Sequence, residues 1–210
     1  MIPLNKDDIC PEFYKEFVSK FEKKVRRYVE KGRIGKKKLR PKVKCFLEYL
    51  LSDDNLMSLL NCPANELKPH TEELCKTFDI LRLREHLAFR QIRRIFVDNT
   101  YKTEFPKADF IRALDIKVCP YCNRSFIECI DKNDKSSPIK GQLDHFYSKE
   151  RYPFLALSRF NLIPCCSDCN GVGGKFMVDA DETKLINPYL LEDTNGMKFI
   201  ALDKDKKQIG

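Results

Sequence analysis

Two C-x-x-C pairs, Cys119 with Cys122 and Cys166 with Cys169, constrain the fold of this chain more than any other feature. Each pair presents two thiols from one tight turn. Two such turns complete a tetrahedral zinc site with Zn–S bonds of about 2.3 Å. The 43 residues between the pairs are far more than the roughly 15–20 of an ordinary zinc ribbon. We therefore expect a structural Zn²⁺ that clamps a long intervening segment.

The remaining cysteines do not indicate a disulfide framework. A chain of 210 residues buries a core without covalent staples. Residues 1–8 lack a signal-peptide pattern, and no apolar run reaches the ~18 residues of a membrane span. We therefore predict a cytoplasmic protein with no membrane partner and with reduced thiols, where paired cysteines indicate metal or redox chemistry. A redox C-x-x-C needs a thioredoxin-like βαβ context, which this sequence lacks.

Two questions about individual cysteines follow. Cys165 competes with Cys166 as a ligand, but only Cys166 has the two-residue gap to Cys169. The cysteines outside the motifs are expected to be free, partly buried thiols. These are Cys10, Cys45, Cys62, Cys75 and Cys129.

The positive charge is concentrated in one segment. Residues 20–44 hold thirteen Lys/Arg against two Glu, a local +11 in a chain whose net charge is +8. Such a concentration favours a polyanion, and nucleic acid is the commonest in a cytosol. A second basic group on a predicted helix comprises Arg82, Arg84, Arg90, Arg93 and Arg94. A solvated helix face, or the acidic surface of a partner, explains either group equally well.

Residues 11–118 carry the apolar period of helices. The predicted helices run from about Tyr14 to Gly32, from Val43 to about Leu60, from Pro69 to Val97 with or without a break, and from Pro106 to about Leu114. From Cys119 the helical period fades, and residues 126–148 resemble short strands around a turn-rich stretch at 131–138. The sequence thus predicts an α+β protein with a helical, basic region at 1–116 and a zinc-stabilised module at 117–210.

The last residues also carry a pattern. Residues 199–205 resemble a strand entering a hairpin turn, and the sequence stops soon afterwards. We therefore expect this sequence to be a piece of a longer protein.

The segment between the cysteine pairs contains the one Asp-His dipeptide of the chain, Asp144-His145. It lies in a predicted strand, residues 142–147. The other histidines, His70 and His86, lie in helical, mixed-charge surroundings, where a surface or partly buried structural histidine is expected. His145 differs because a carboxylate precedes it inside a zinc-bracketed segment.

These residues carry a resemblance to a known family. The run from Leu143 to Lys149, then Tyr152-Pro153, then residues 161–170 (NLIPCCSDCN) resemble the HNH, or ββα-metal (His-Me finger), endonucleases. The resemblance covers residues 119–175 and is closest to bacterial accessory nucleases of phage defence, of the Septu and retron types. The group includes nucleases that work with a partner ATPase.

The resemblance implies a two-stranded hairpin and a helix that hold one divalent ion. It implies that His145 is the general base, that Asp144 is a ligand of the catalytic metal, and that Asn161 ties down the loop and positions the histidine. Asn170 would be the second metal ligand. An imidazole with a pKa near 6.5 accepts a proton from water at neutral pH. A carboxylate with an amide oxygen suits Mg²⁺ or Mn²⁺ better than Zn²⁺.

Two local features depart from this pattern. Adjacent strand residues point to opposite faces, so Asp144 and His145 can serve one phosphate only if the strand ends, twists or bulges there. Three glycines within residues 171–174 disfavour the helix that should continue toward a lysine, at a cost of up to about 3 kcal/mol. We therefore expect the helix that contains Asn170 to be short or irregular, and we assign no role to Lys175.

The predicted function is metal-dependent endonucleolytic cleavage of nucleic acid, with DNA favoured over RNA. Two alternatives stay open. In the first, the chain is a zinc-organised nucleic-acid-binding module without catalysis. In the second, it is an interaction subunit whose helices dock an ATPase.

Overall fold

The computed structural model describes residue 4, residues 11–127, residues 140–175, residue 180 and residues 185–191. In these residues the fold is α+β and mainly helical, as predicted, with two small antiparallel sheets. The α-helices are α1 (Pro11–Lys31), α2 (Pro41–Leu51), α3 (Asn55–Asn61), α4 (Leu67–Thr77), α5 (Leu87–Arg93), α6 (Lys107–Ala113) and α7 (Ser167–Asn170). The strands are β1 (Arg33–Ile34), β2 (Lys37–Lys38), β3 (Gln142–His145) and β4 (Leu162–Cys165).

The first helix ends where the sequence predicts. Gly32 follows α1 with a φ of 59°, a left-handed conformation that favours glycine. The chain then forms the β1–β2 hairpin, in which Arg33 pairs with Lys38. The hairpin therefore presents the centre of the basic segment at the surface.

The second predicted helix is two helices. α2 ends at Leu51, and the break contains Asp53 with a φ of 47°. Ser52 and Asn55 both donate side-chain hydrogen bonds to the Tyr49 carbonyl oxygen, which satisfies the open end of α2. A continuous helix from Val43 to Leu60 was therefore wrong, because short polar side chains at this point bond the backbone in place of the next helical turn.

The third predicted helix begins two residues early and breaks after Thr77. α4 is followed by a 3₁₀ turn at Asp79–Leu81, and α5 begins only at Leu87. Arg82 and Arg84 therefore precede α5 and do not lie on the same helix as Arg90.

A π-helical segment, Arg94–Tyr101, continues directly from α5. The Thr100 hydroxyl donates to the Ile95 carbonyl oxygen at 2.7 Å. Lys24 of α1, which is buried, donates to the Asn99 carbonyl oxygen, to Thr100 Oγ1 at 3.2 Å and to Glu104 Oε1 at 2.7 Å. These bonds satisfy polar groups that the wider helical turn leaves without regular partners, and they hold the end of the segment that carries Tyr101.

One hydrophobic core connects the helices to the second half of the chain. The Tyr14 hydroxyl of α1 is 2.9 Å from the Leu60 carbonyl oxygen and 2.7 Å from that of Leu157. Phe46 of α2 meets Phe154 edge to face, with ring centroids 6.4 Å apart. Burying each phenyl ring stabilises the fold by about 2–3 kcal/mol. Contacts thus cross the predicted boundary near residue 116, which itself stays a prediction.

The second half contains the β3–β4 hairpin followed by α7. Asp144 pairs with Ile163 and His145 with Leu162. β3 ends at His145, two residues earlier than predicted, and α7 has four residues, in agreement with the short helix expected there. The turn-rich stretch at 131–138 and the predicted strand at 199–205 lie outside the described residues. Among the described helices, none is long and apolar enough to cross a membrane.

Candidate metal and catalytic site

The four motif cysteines meet at one point. The Sγ atoms of Cys119, Cys122, Cys166 and Cys169 all lie within 4.8 Å of one another, and those of Cys122 and Cys166 are 3.9 Å apart. A tetrahedron with Zn–S bonds of about 2.3 Å has S···S edges of about 3.8 Å. The cluster therefore has the ligand type, number and spacing to hold a zinc ion. Cys165 is fully buried and lies outside this group, so the two-residue gap selected the right neighbour.

The thiols outside the cluster agree with the prediction in part. Cys62 and Cys75 are free and buried, whereas Cys45 is free but exposed. Cys10 and Cys129 lie outside the described residues.

Ionisation within the cysteine cluster is uneven. Burial opposes the charged form of Cys122, but hydrogen bonds from the backbone of Arg124 and Ser125 outweigh it and lower the pKa to about 6. Burial raises the pKa of Cys119 and of Cys169. A zinc ion binds thiolates, so its binding would release the protons that these two cysteines retain.

His145 is held in one orientation by the surrounding structure. Its Nε2 lies 3.1 Å from the Ala156 carbonyl oxygen, and its ring packs edge-on against Tyr101 with centroids 4.4 Å apart. Because a carbonyl oxygen only accepts, Nε2 carries the proton and the neutral ring has its lone pair on Nδ1. Burial, reinforced by the charge of Lys149, holds the pKa of His145 well below its usual range. The imidazole is therefore neutral at pH 7.

Asp144 is buried and fully engaged. Its Oδ2 accepts from the Tyr121 hydroxyl at 2.8 Å. The Lys175 ammonium lies 3.0 Å from Oδ2 and 3.2 Å from Oδ1, and it also donates to the His145 carbonyl oxygen at 2.7 Å. Burial and the Asp144 charge raise the pKa of Tyr121 well above its usual value, so Tyr121 remains a hydrogen-bond donor.

Both partners of Asp144 are positioned by the cysteine cluster. Tyr121 lies between two of the cysteines in sequence, and the Lys175 backbone N–H donates to the Cys169 carbonyl oxygen at 2.8 Å. Gly174 makes this approach possible, since a Cβ there would lie 2.4 Å from the Cys169 carbonyl oxygen. The sequence position of Lys175 departs from the family pattern and so predicts no role for it. The sequence shows the glycines but not the geometry of the turn that they form, so it carries no signal that would place Lys175 beside Asp144.

The two predicted asparagines lie in different surroundings. Asn161 is fully buried and ties down the loop after β3, because Tyr147 N–H donates to its Oδ1 at 2.7 Å and its Nδ2 donates to the carbonyl oxygens of Tyr147 and Leu155. Asn170, at the end of α7, is partly exposed and donates from Nδ2 to Gln142 Oε1 at 2.8 Å.

A cavity of about 450 Å³ brings three of the predicted residues together. Asp144 and His145, the last two residues of β3, both line it. Asn170 lines it too, whereas Asn161 holds the neighbouring backbone. The remaining lining residues are Leu143, Ser148, Lys149 and Glu150.

The donors in this cavity suit a hard divalent ion in type, as carboxylate and amide oxygens do. Both carboxylates, however, already have cationic partners. Lys175 pairs with Asp144, and Arg93 contacts both carboxylate oxygens of Glu150 at 3.0 Å. Among the described residues, the group of three or more side chains that could hold a metal ion is the four motif cysteines. Lys175 therefore already neutralises the charge of the Asp144 carboxylate.

The β1–β2 hairpin of the basic segment lies against α5 and Arg94. Gln91 of α5 donates to the Lys38 carbonyl oxygen at 2.7 Å and accepts from the Arg40 backbone N–H at 3.0 Å. A Cβ built on Gly35 would lie 3.9 Å from the Arg94 guanidinium. The β1–β2 hairpin, called the basic hairpin below, is thus docked on α5. Arg93, the last residue of α5, reaches the edge of the cavity through its contact with Glu150.

Comparison with known proteins returned one relevant similarity. No protein-family model matches the chain, and no solved structure matches it. The chain is 33% identical over 82 residues to the Septu protein PtuB of Bacillus thuringiensis. The similarity covers 39% of this chain and 28% of that protein, so the chain spans less than a third of the relative's length. The chain is therefore similar to part of a Septu protein.

Proposed function

We propose that this chain is a metal-dependent HNH endonuclease that hydrolyses phosphodiester bonds in nucleic acid, DNA in preference to RNA. The observation that carries the proposal is the state of His145. It is a neutral, oriented imidazole, and it lines one cavity with Asp144 and Asn170.

In the proposed reaction His145 acts as the general base. Its protonated Nε2 remains bonded to the Ala156 carbonyl oxygen, and Nδ1 accepts a proton from the attacking water. The carbonyl bond then stabilises the imidazolium that forms. In this geometry Nδ1 accepts the proton, whereas the hydrogen bond at Nε2 orients the ring.

The other residues orient and support the base. Asn161 holds the loop after β3 by its bonds to Tyr147. Mg²⁺ or Mn²⁺ held by Asp144 and Asn170 would supply the charge that neutralises the phosphate and the departing oxygen. A zinc ion held by the four cysteines would have a structural role, because it would fix the turns that carry Tyr121 and Lys175.

Nucleic acid would be bound by the docked basic hairpin. Arg33, Lys36, Lys37, Lys38 and Arg40 are all exposed. Lysine and arginine contacts to phosphates supply affinity that does not depend on sequence, which suits a site that acts on the backbone. The hairpin packs against α5, whose Arg93 reaches the cavity edge.

The biological setting that we propose is bacterial defence against phage in the cytoplasm. The similarity to a Septu protein supports it. A partner ATPase, or another subunit of a defence complex, is part of the same proposal and follows from the family resemblance.

Cleavage of supercoiled plasmid and of single-stranded RNA, with Mg²⁺ or Mn²⁺, tests the proposal. We expect the wild type to cut plasmid and His145→Ala to lose that activity by about 100-fold or more, as removal of a general base does. His70→Ala, at a different surface cavity, is the matched control and should cut normally. Equal cleavage by the wild type and His145→Ala would remove the nuclease assignment from this site.

A second candidate function is a zinc-organised nucleic-acid-binding module without catalysis. The pairing of Lys175 with Asp144 favours it, because this ion pair neutralises the carboxylate without any divalent ion. Such a module would bind nucleic acid, and neither the wild type nor His145→Ala would cleave it. If the chain is instead an interaction subunit, cleavage should appear only after a partner ATPase, captured by pull-down, is added.

A further inference from the structure

We propose that the Lys175 ammonium is a built-in cation at the metal position of Asp144, and that a divalent ion binds there only by displacing it. Lys175 would thereby set the affinity of the site for metal. This inference rests on the proposed function, since it takes Asp144 as a ligand of the catalytic ion.

The contacts describe a cation site that is already filled. The ammonium lies within 3.2 Å of both Asp144 oxygens and donates to the His145 carbonyl oxygen at 2.7 Å. The side chains of Lys175 and Asp144 are each 4% exposed. Two carboxylate oxygens and one carbonyl oxygen are also the donors that a small hard cation takes.

The ammonium and a divalent ion cannot share these oxygens without a large cost. Like charges a few ångströms apart repel strongly, and solvent screens a buried pair much less than a surface pair. Binding of a divalent ion therefore includes the loss of the Lys175–Asp144 pair. Removal of the ammonium should strengthen metal binding.

The backbone around Lys175 allows the side chain to leave. The Lys175 backbone N–H is bonded to the Cys169 carbonyl oxygen, and Gly174 packs tightly against the same carbonyl. The four-carbon side chain can rotate about its own bonds while this anchor stays in place. The displacement is then a side-chain movement, and Asp144, the partner that the ammonium leaves, lines a cavity of about 450 Å³.

Mn²⁺ binding tests the inference directly. Binding of Mn²⁺ to the zinc-loaded protein is followed by loss of the EPR signal of the free ion, and the structural zinc gives no signal. We expect Lys175→Met to bind Mn²⁺ at least about tenfold more tightly than the wild type, a difference of about 1.4 kcal/mol. Lys149→Met is the matched control, because it removes one positive charge from the cavity that Asp144 lines. Its effect should be clearly smaller.

Thermal denaturation gives an independent readout. Lys175→Met leaves the buried Asp144 carboxylate without its ion-pair partner, so we expect a lower Tm that Mn²⁺ raises by more than it raises the wild-type Tm. If Lys175→Met does not fold, the double variant Asp144→Asn with Lys175→Met removes both charges. That variant should fold and show no Mn²⁺-dependent rise in Tm.

Three outcomes would overturn the inference. They are equal or weaker Mn²⁺ binding by Lys175→Met, an equal gain from Lys149→Met, and Mn²⁺ binding by neither the wild type nor Lys175→Met. The last result would make Lys175 a permanent counter-ion of Asp144. Tighter Mn²⁺ binding without plasmid cleavage would support the displacement and count against the nuclease, so failures of the two proposals are distinguishable.

Discussion

Replacement of Asn161 by alanine should destabilise the protein far more than its single amide suggests. The side chain is fully buried and makes three hydrogen bonds, one to the Tyr147 N–H at 2.7 Å and two to carbonyl oxygens at 3.1 and 3.0 Å. The Leu155 carbonyl retains a bond from Ser158, so the variant removes the Asn161 partner of two Tyr147 backbone groups. At about 1–3 kcal/mol for each of these two buried groups, the expected loss is about 2–6 kcal/mol.

Urea denaturation followed by far-UV circular dichroism measures this loss, since the chain contains no tryptophan. With a slope of roughly 2–3 kcal/mol per molar urea, the midpoint should fall by about 1–3 M. Ser158→Ala is the matched control. It removes one buried bond, from Ser158 Oγ to the Leu59 carbonyl oxygen at 2.9 Å, and should cost about 1 kcal/mol. A midpoint shift for Asn161→Ala no larger than that of Ser158→Ala would refute the reasoning.

Three further predictions concern the metal, the base and the basic hairpin. Cys122→Ser should reduce bound zinc, measured by elemental analysis, and lower the Tm, whereas the exposed Cys45→Ser should change neither. Because burial holds the pKa of His145 below about 6.5, the base stays unprotonated as pH falls through that value, and the acidic limb of kcat/KM should lie below pH 6.5. An acidic limb at or above that pH would contradict it. Glutamine at residues 36–38 should reduce the salt dependence of DNA binding, log Kd against log salt, by up to about 0.9 per lysine, whereas Lys76→Gln should have little effect.

Local sequence was sufficient for much of the fold. The first helix ends at the predicted glycine. The break between α2 and α3 was not predicted, and it forms because the side chains of Ser52 and Asn55 hydrogen-bond the backbone there. The π-helical turn at Arg94–Tyr101 was also unforeseen. Lys24, distant in sequence, supplies the hydrogen bonds that stabilise it.

The candidate site, like the fold, was predicted from the sequence only in part. Spacing alone selected the four cysteines, since two ligands in one turn are a local property. The same segment marked Asp144 and His145, and the structure places both on one cavity. Their catalytic roles stay predictions.

The sequence by itself determined which four cysteines can hold a metal ion. It also distinguished His145, which follows a carboxylate between the cysteine pairs, from the other two histidines. Only the tertiary structure decided that Lys175 lies on Asp144, and that the basic hairpin docks on α5 through Gln91. The physical reason is the distance along the sequence between the residues that interact. Ligand spacing and helix periodicity are set by neighbours within a few residues. The Lys175 contact depends instead on a glycine turn packed against a cysteine carbonyl, and it connects residues that only folding brings together.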